Sequence, residues 1–310
     1  MTQTKETTVT TVTTHTQTLE LPDVDLTYDV RGPIPTADGR PLLLMIGQPM
    51  QADGFADLAD QFPDRTVVTY DPRGLGRSSV RRDGRDDQRP EDQAADLHAL
   101  VEHLSSLGGA GPVDVFGSSG GAVAGLTWVS LHPDDVATLV AHEPPSTWAL
   151  PNDAEAADRA FRGVREAYQA KGVGAGMATF IGLTMWPGEF TDAYFAQPAP
   201  DPAMFGMSTE DDGRRDDALL SERAVTVTTH EYDLDAIKAA PTRVVLGVGE
   251  ETGTTITART AQAVAERLGS ELVVFPSHHG GFVGGGPENP YAGKPVEFGV
   301  TLREVLDQAR

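Results

Sequence analysis

Short apolar runs alternate with segments of helical periodicity through most of this chain. The runs are strand-sized, and several are apolar without interruption, which is typical of strands buried on both faces of a sheet. They lie at 41–46, 65–70, 113–116, 136–141, 243–248 and 271–275, after two β-like runs within 19–32. Helical patterns lie at 55–62, at 90–107, directly after 121, at 256–268 and at 295–308. This alternation predicts an α/β fold whose central sheet is mostly parallel and flanked by helices.

The rhythm changes between residues 145 and 240. Helical patterns at 154–168 and 173–183 are followed there by a proline-rich stretch at 197–202. We therefore expect a helical cap inserted between two strands of the sheet. The predicted organisation is a flexible tail at 1–18, a core at 19–144 and 241–310, and a cap at 145–240. Within the tail, an edge strand at 7–18 is the alternative.

Composition and net charge indicate which binding partners and which cellular compartment to expect. The net charge of −22 disfavours nucleic acid and anionic membranes, which attract clustered cations. No stretch approaches the ~20 apolar residues of a membrane helix, and the threonine-rich start does not resemble a secretory signal. The chain has no cysteine, so neither a disulfide framework nor a thiolate metal site is expected. We expect a cytoplasmic protein without metal or cofactor, and the sequence leaves a homo-oligomer open.

The first candidate for chemistry is the segment Gly117-Ser118-Ser119-Gly120-Gly121, directly after the strand at 113–116. A strand, a tight turn and a helix form the context of a nucleophile elbow, in which the residues two before and two after the nucleophile must be small. Ser119 has Gly117 and Gly121 at those positions, whereas Ser118 would have the bulky Phe116. Ser119 is therefore the predicted nucleophile. The alternative is a glycine-rich turn that only connects strand and helix.

A serine nucleophile needs a base, and His279 is the best candidate among the eight histidines. It follows the last predicted strand and precedes Gly280 and Gly281. Loops at the carboxyl ends of strands form the sites of open α/β sheets. His278 is the rival. A metal bound by this pair is disfavoured, because no further histidine or cysteine stands nearby at ligand spacing.

The acid that orients the histidine has two candidate locations. Glu143 ends the strand after the elbow helix and is followed by two prolines, while Glu250 and Glu251 end the strand at 243–249. Both strand ends can reach the same histidine if the strands are neighbours. The alternatives are a salt bridge or helix cap for Glu143 and a solvated turn for Glu250 and Glu251.

These motifs together resemble the α/β-hydrolase fold superfamily over about 19–308. Residues 71–78, Asp-Pro-Arg-Gly-Leu-Gly-Arg-Ser, resemble its D-x-R-G-x-G-x-S segment. Residues 47–49 resemble its H-G-x-P turn, with Ile46 where histidine is common. The resemblance implies an oxyanion hole formed by the backbone N–H groups of Gln48 and Gly120.

The resemblance also bears on the acid. The superfamily's usual position, three residues after Gly249, holds Thr252. Zearalenone lactonases instead supply a glutamate from the strand after the elbow helix, a place similar to that of Glu143. We therefore favour Glu143 and keep Glu251 in reserve.

The predicted cap is rich in methionine and aromatic residues, which suit an adaptable apolar pocket. Trp186, Met185 and Trp148 are the predicted substrate contacts, although many such side chains simply pack a cap onto its core. Because the cap has no cationic cluster, we expect a small, neutral, largely apolar ester or lactone. By resemblance alone, a resorcylic lactone of the zearalenone type fits.

The function expected from these residues is a serine hydrolase that acts through an acyl-enzyme. Cofactor-free haloperoxidases and C–C bond hydrolases share the same residue set and remain alternatives. A ligand receptor that retains the three residues without turnover is a further alternative.

Overall fold

The computed structural model describes residues 13–82, 84–109, 111–285, 289 and 291–308. In this part of the chain, nine strands form one sheet in the order β1-β2-β4-β3-β6-β7-β8-β9, with β5 paired to β2. The strands are β1 (Thr14–Glu20), β2 (Val24–Arg31), β3 (Leu43–Ile46), β4 (Val67–Tyr70), β5 (Ser79–Val80), β6 (Val113–Ser118), β7 (Val136–His142), β8 (Arg243–Gly249) and β9 (Glu271–Phe275). Every pairing from β4 through β3 to β9 is parallel, and the pairings of β2 are antiparallel. The mostly parallel sheet expected from the sequence is confirmed.

Helices cover both faces of the sheet. They are α1 (Ala56–Ala59), α2 (Pro90–Ser106), α3 (Gly120–Leu131), α4 (Ala154–Thr184), α5 (Asp192–Phe195), α6 (Val225–Thr229), α7 (Leu234–Ala239), α8 (Ile256–Leu268) and α9 (Pro295–Asp307). Successive residues of a strand point to opposite faces. Leu44 and Ile46 accordingly pack with α2, α3 and α8, whereas Leu43 and Met45 pack with α1 and α9. This explains why β3 is apolar at every position.

The amino-terminal boundary differs from the prediction. The predicted tail at 1–18 is wrong for its last residues, because Thr14–Glu20 pairs antiparallel with β2 along its whole length. Residues 1–12 lie outside the described part of the chain. β1 is an edge strand with mostly exposed side chains, so it lacks the apolar alternation of a half-buried strand.

Between β7 and β8, the chain forms helices α4 to α7 and short 3₁₀ turns. We call residues 145–240 the helical insertion. It has a hydrophobic cluster of its own, centred on α4 and including Phe161, Tyr168 and Leu220, which reaches the core at Ile256 of α8. α4 is kinked at Gly172, where φ is 83°. Within the described residues, no helix is both long enough and apolar enough to span a membrane.

Candidate active site

Ser119 lies in the tight turn between β6 and α3. Its backbone has φ 55° and ψ −122°, a combination that costs energy for a non-glycine residue and is held by the surrounding structure. Its N–H donates to the carbonyl of His142 at 2.9 Å. A Cβ at Gly117 would lie 2.9 Å from the Gly121 carbonyl oxygen, and one at Gly121 would lie 2.3 Å from that of Ile46. The small flanking residues expected of a nucleophile elbow are therefore required by the packing.

Glu143 lies at the carboxyl end of β7, directly under the loop that carries His279. The structure buries it completely, with φ 50°, and its N–H donates to Gly247 of β8 at 3.0 Å. One carboxylate oxygen accepts the Gly249 N–H at 2.8 Å. The other accepts the Thr257 hydroxyl at 2.7 Å and lies 2.5 Å from Nδ1 of His279. The carboxylate is thus held by neighbouring strand and helix ends and aimed at one imidazole nitrogen.

The surroundings keep Glu143 ionised. Burial alone would raise the pKa of Glu143, but the hydrogen bond and the charge of His279 lower it, and the net pKa lies well below its ordinary value. An ionised carboxylate accepts the Nδ1–H of His279 and leaves Nε2 as the nitrogen available for proton transfer. His279 lines the same cavity as Ser119.

The competing acids are paired with a lysine. Glu250 and Glu251 form ion pairs with Lys294, at 3.2 Å and 2.6 Å respectively, on the half-exposed side of the loop. The described contacts of His279 include Glu143 and neither of these residues. The rival base, His278, lines the cavity, but its Nδ1 accepts the N–H of Gly280 at 3.1 Å. The structure thus brings Glu143 and His279 together and pairs Glu251 with a lysine.

The turn after β3 brings Gln48 to the elbow. Gln48 is buried and lines the cavity together with Gly120 and Ser119. A Cβ at Gly120 would lie 2.8 Å from the Gln48 carbonyl oxygen and still closer to its side-chain oxygen. Because Gly120 opens α3, its N–H has no carbonyl of a preceding helical turn to bond. The two residues predicted to supply the oxyanion donors therefore lie beside each other at the nucleophile.

The segment at 71–78 supports this turn. Asp71 accepts the N–H of Ala52 at 3.0 Å and that of Arg77 at 2.8 Å. Ala52 follows Gln48 by four residues. The Asp71 carboxylate therefore ties the loop after β4 to the turn after β3 that carries Gln48. The role of this segment is structural support rather than contact with the cavity.

The cavity at the elbow has a volume of about 480 Å³ and extends under the helical insertion. Its lining is largely apolar. The apolar contributors from the insertion include Phe161, Val164, Phe180, Met185, Leu219 and Val227. Of these, Met185 is a contact predicted from the sequence, and Phe180 belongs to the methionine and aromatic residues of the predicted cap. Phe161 and Val164 were missed, although they recur at the spacing of one face of α4.

Trp186 and Trp148 do not line this cavity, so their prediction as substrate contacts is wrong. The indole N–H of Trp186 donates to the Glu189 carbonyl at 3.1 Å, and its ring packs edge-on against Tyr194. Trp148 packs edge-on against Tyr232 at 5.2 Å between ring centroids. Both rings pack against aromatic side chains within the insertion. These tertiary contacts cannot be predicted from the local sequence.

One group of side chains with metal-ligand chemistry converges among the described residues, and it lies away from the cavity. It consists of His98, His132 and Asp135. Nδ1 of His98 lies 2.7 Å from Asp135, and the two imidazoles stack 3.8 Å apart at 11° between planes. Ring-nitrogen lone pairs lie in the ring plane, so stacked rings do not direct them at one ion.

Comparisons with known proteins agree with this architecture. A family model for the alpha/beta hydrolase fold matches residues 40–197. An uncharacterized hydrolase of Bacillus subtilis (strain 168), YraK, is 26% identical, over 96% of this chain and 98% of its own. A proline iminopeptidase from Mycobacterium smegmatis has a TM-score of 0.60 at 21% identity, over 95% and 98% of the two chains. A thermophilic esterase from Thermogutta terrifontis has a TM-score of 0.56 at 20% identity, over 94% and 98%.

The family model matches more than half of the chain, and the two solved structures resemble this protein in overall fold. The chain belongs to the α/β-hydrolase fold family.

Proposed function

We propose that this protein is a serine hydrolase that cleaves a carboxylic ester or lactone through an acyl-enzyme. The observation that carries the proposal is the 2.5 Å contact between Glu143 and Nδ1 of His279, in a cavity that also contains Ser119. A carboxylate-oriented imidazole and a strained serine that line one cavity are the groups that activate a hydroxyl nucleophile.

In the first half of the reaction, Oγ of Ser119 attacks the ester carbonyl while Nε2 of His279 takes its proton. The oxyanion that forms accepts hydrogen bonds from the backbone N–H groups of Gln48 and Gly120. His279 then returns the proton to the leaving alkoxide, and the C–O bond breaks. In a lactone, the freed alcohol stays tethered to the acyl group.

In the second half, water attacks the acyl carbon as His279 removes its proton, and Oγ of Ser119 leaves as the proton returns. Glu143 stabilises the imidazolium in both halves without taking the proton. Every step uses a group of this chain or water, so the proposed chemistry needs no cofactor.

The apolar lining from the insertion supports a substrate with a largely apolar body. In this proposal the insertion acts as the cap over the site. A resorcylic lactone of the zearalenone type stays in the proposal as one test compound, on resemblance alone.

The experiment is hydrolysis of a short p-nitrophenyl ester, a long-chain one and a macrocyclic aromatic lactone by wild type, Ser119→Ala and Ser118→Ala. Ser118 is the matched control, because it is the adjacent serine, at the end of β6. We expect Ser119→Ala to abolish turnover and Ser118→Ala to retain most of it. Equal turnover in wild type and Ser119→Ala would overturn the proposal, and no turnover in wild type would favour the receptor or C–C hydrolase alternatives.

A further inference from the structure

A single arginine faces the apolar cavity from the helical insertion. Arg165 lies on α4 one turn after Phe161 and next to Val164, and all three line the cavity. Its side chain is 16% exposed. Among the described residues that line the cavity, it is the one that carries a permanent positive charge.

The ion pair of Arg165 is weak. Its Nε lies 3.8 Å from Oε1 of Glu222, beyond hydrogen-bond distance, and the Glu222 side chain is 73% exposed. Arg73 provides the contrast, because it holds the buried Asp96 with two hydrogen bonds of 2.6 Å and 2.8 Å. A buried guanidinium is normally matched by such a bidentate carboxylate. At Arg165 the matching partner is not supplied by Glu222.

Other charges at the cavity do not replace that partner. Glu251 also lines the cavity, but its carboxylate lies 2.6 Å from Lys294. Burial lowers the pKa of Arg165, and the charges of Glu222, Asp158 and Glu166 oppose this only in part. Arginine nevertheless stays protonated in proteins. The cavity therefore contains a largely buried positive charge, in a largely apolar lining whose one carboxylate, that of Glu251, pairs with Lys294.

We propose that Arg165 binds a carboxylate carried by the substrate, so that the enzyme selects esters with an apolar body and one acidic group. The inference rests on the proposed serine hydrolase function and replaces the neutral substrate expected from the sequence. One guanidinium matches one carboxylate through two parallel hydrogen bonds. The net charge of −22 repels a monoanion less strongly than a multiply charged anion, so one acidic group is favoured over several.

The first test compares acidic esters with neutral counterparts of the same shape. The acyl-side series consists of mono-p-nitrophenyl esters of succinate, adipate, suberate and sebacate, each against the monocarboxylate ester of equal length. The alcohol-side pair consists of the hexanoate esters of 4-hydroxybenzoate and of its methyl ester. Together they determine which end of the substrate carries the acid and how far it lies from the scissile bond.

We expect wild type to prefer an acidic ester in at least one series. In Arg165→Met, the ratio of kcat/KM for that ester over its neutral counterpart should fall by about 10- to 100-fold, the range for a hydrogen-bonded charge pair. Arg165→Lys should restore part of the ratio. Wild type without acid preference in either series, or a ratio unchanged in Arg165→Met, would overturn the inference.

Glu222→Gln is the matched control for a purely structural ion pair. We expect it to keep or raise the acid preference, because it removes the competing carboxylate. If it instead reproduces the loss seen in Arg165→Met, Arg165 acts by holding the insertion and the inference fails.

A binding measurement separates this inference from the proposed catalysis. Monomethyl suberate is titrated into Ser119→Ala and into Ser119→Ala/Arg165→Met by calorimetry. We expect at least about tenfold weaker binding in the double variant. Equal binding overturns the role of Arg165 whatever the hydrolysis assays show, whereas failure of the proposed hydrolysis leaves this readout intact.

Discussion

The two sides of the active-site cavity are held by different kinds of contact. On the sheet side, Ser119 and Glu143 both have positive φ, and Glu143 is fully buried with its carboxylate oxygens hydrogen-bonded. On the insertion side, Met185 is 67% exposed and Arg165 is paired only loosely. Rigid, fully satisfied groups suit reaction chemistry, whereas loosely held groups suit selection among substrates. In the proposed function, the sheet side therefore carries out the reaction and the insertion side selects the substrate.

The largest effect is expected when each of the two candidate acids is replaced by glutamine. Glu143→Gln should lower kcat by about 10⁴-fold, because the amide no longer holds the imidazole in the productive tautomer. Glu251→Gln should stay within about threefold of wild type, since its carboxylate pairs with Lys294 at the loop surface. The measurement is steady-state kinetics on one activated ester. A large loss in Glu251→Gln with little loss in Glu143→Gln would reverse the assignment.

A second test perturbs the oxyanion turn. Gly120→Ala places a Cβ 2.8 Å from the Gln48 carbonyl oxygen, so the turn must shift. We expect kcat to fall by about 10²-fold or more, the loss typical of one misplaced oxyanion donor. The control is Gly163→Ala in α4, where an added Cβ meets nothing within 4 Å. That variant should keep its kcat and gain up to about 1 kcal/mol of stability. Similar losses of kcat in both variants would contradict the contrast between the two sides.

A third test concerns His142, the histidine that precedes Glu143 at the end of β7. His142 is fully buried among phenylalanines, and neither ring nitrogen has a hydrogen-bond partner among the described residues. Burial lowers its pKa from 6.5 to about 4. Between these values the unfolded chain binds a proton that the folded chain does not, so stability decreases as the pH falls from 6.5 towards 4. The full loss is roughly 3 kcal/mol.

The check is urea unfolding of wild type and His142→Leu between pH 7 and pH 4. The free energy of unfolding should fall less steeply in the variant, by up to about 1.4 kcal/mol per pH unit. Parallel curves would show that His142 takes up its proton equally in the folded and unfolded states.

The sequence predicted the sheet side of the cavity better than the insertion side. Continuous apolar runs and small flanking residues are local signals, and they were sufficient for the parallel strands and for the elbow at Ser119. The choice between Glu143 and Glu251 was not local, because it depends on β7 lying beside β8 and on Lys294 reaching the loop. In the insertion, Trp186 packs against Tyr194. Hydrophobic periodicity does not predict which of many apolar side chains a tryptophan will contact.

The smallest effect is expected at that tryptophan. Trp186→Phe should change kcat/KM for a long-chain ester by less than about threefold, because the side chain does not line the cavity. Phe180→Ala, on the lining, should lower it by about tenfold through lost apolar contact. A larger loss of kcat/KM in Trp186→Phe than in Phe180→Ala would indicate that Trp186 contacts the substrate after all.

The most direct test of Ser119 as the nucleophile is to label the reactive serine covalently and identify it. A fluorophosphonate ester is incubated with wild type, Ser118→Ala and Ser119→Ala, and the adduct is mapped by peptide mass spectrometry. The account predicts one phosphonyl group on Ser119 in wild type and Ser118→Ala, and none on the elbow peptide of Ser119→Ala. An adduct on Ser118, or ester turnover that persists after Ser119 is replaced, would contradict the account.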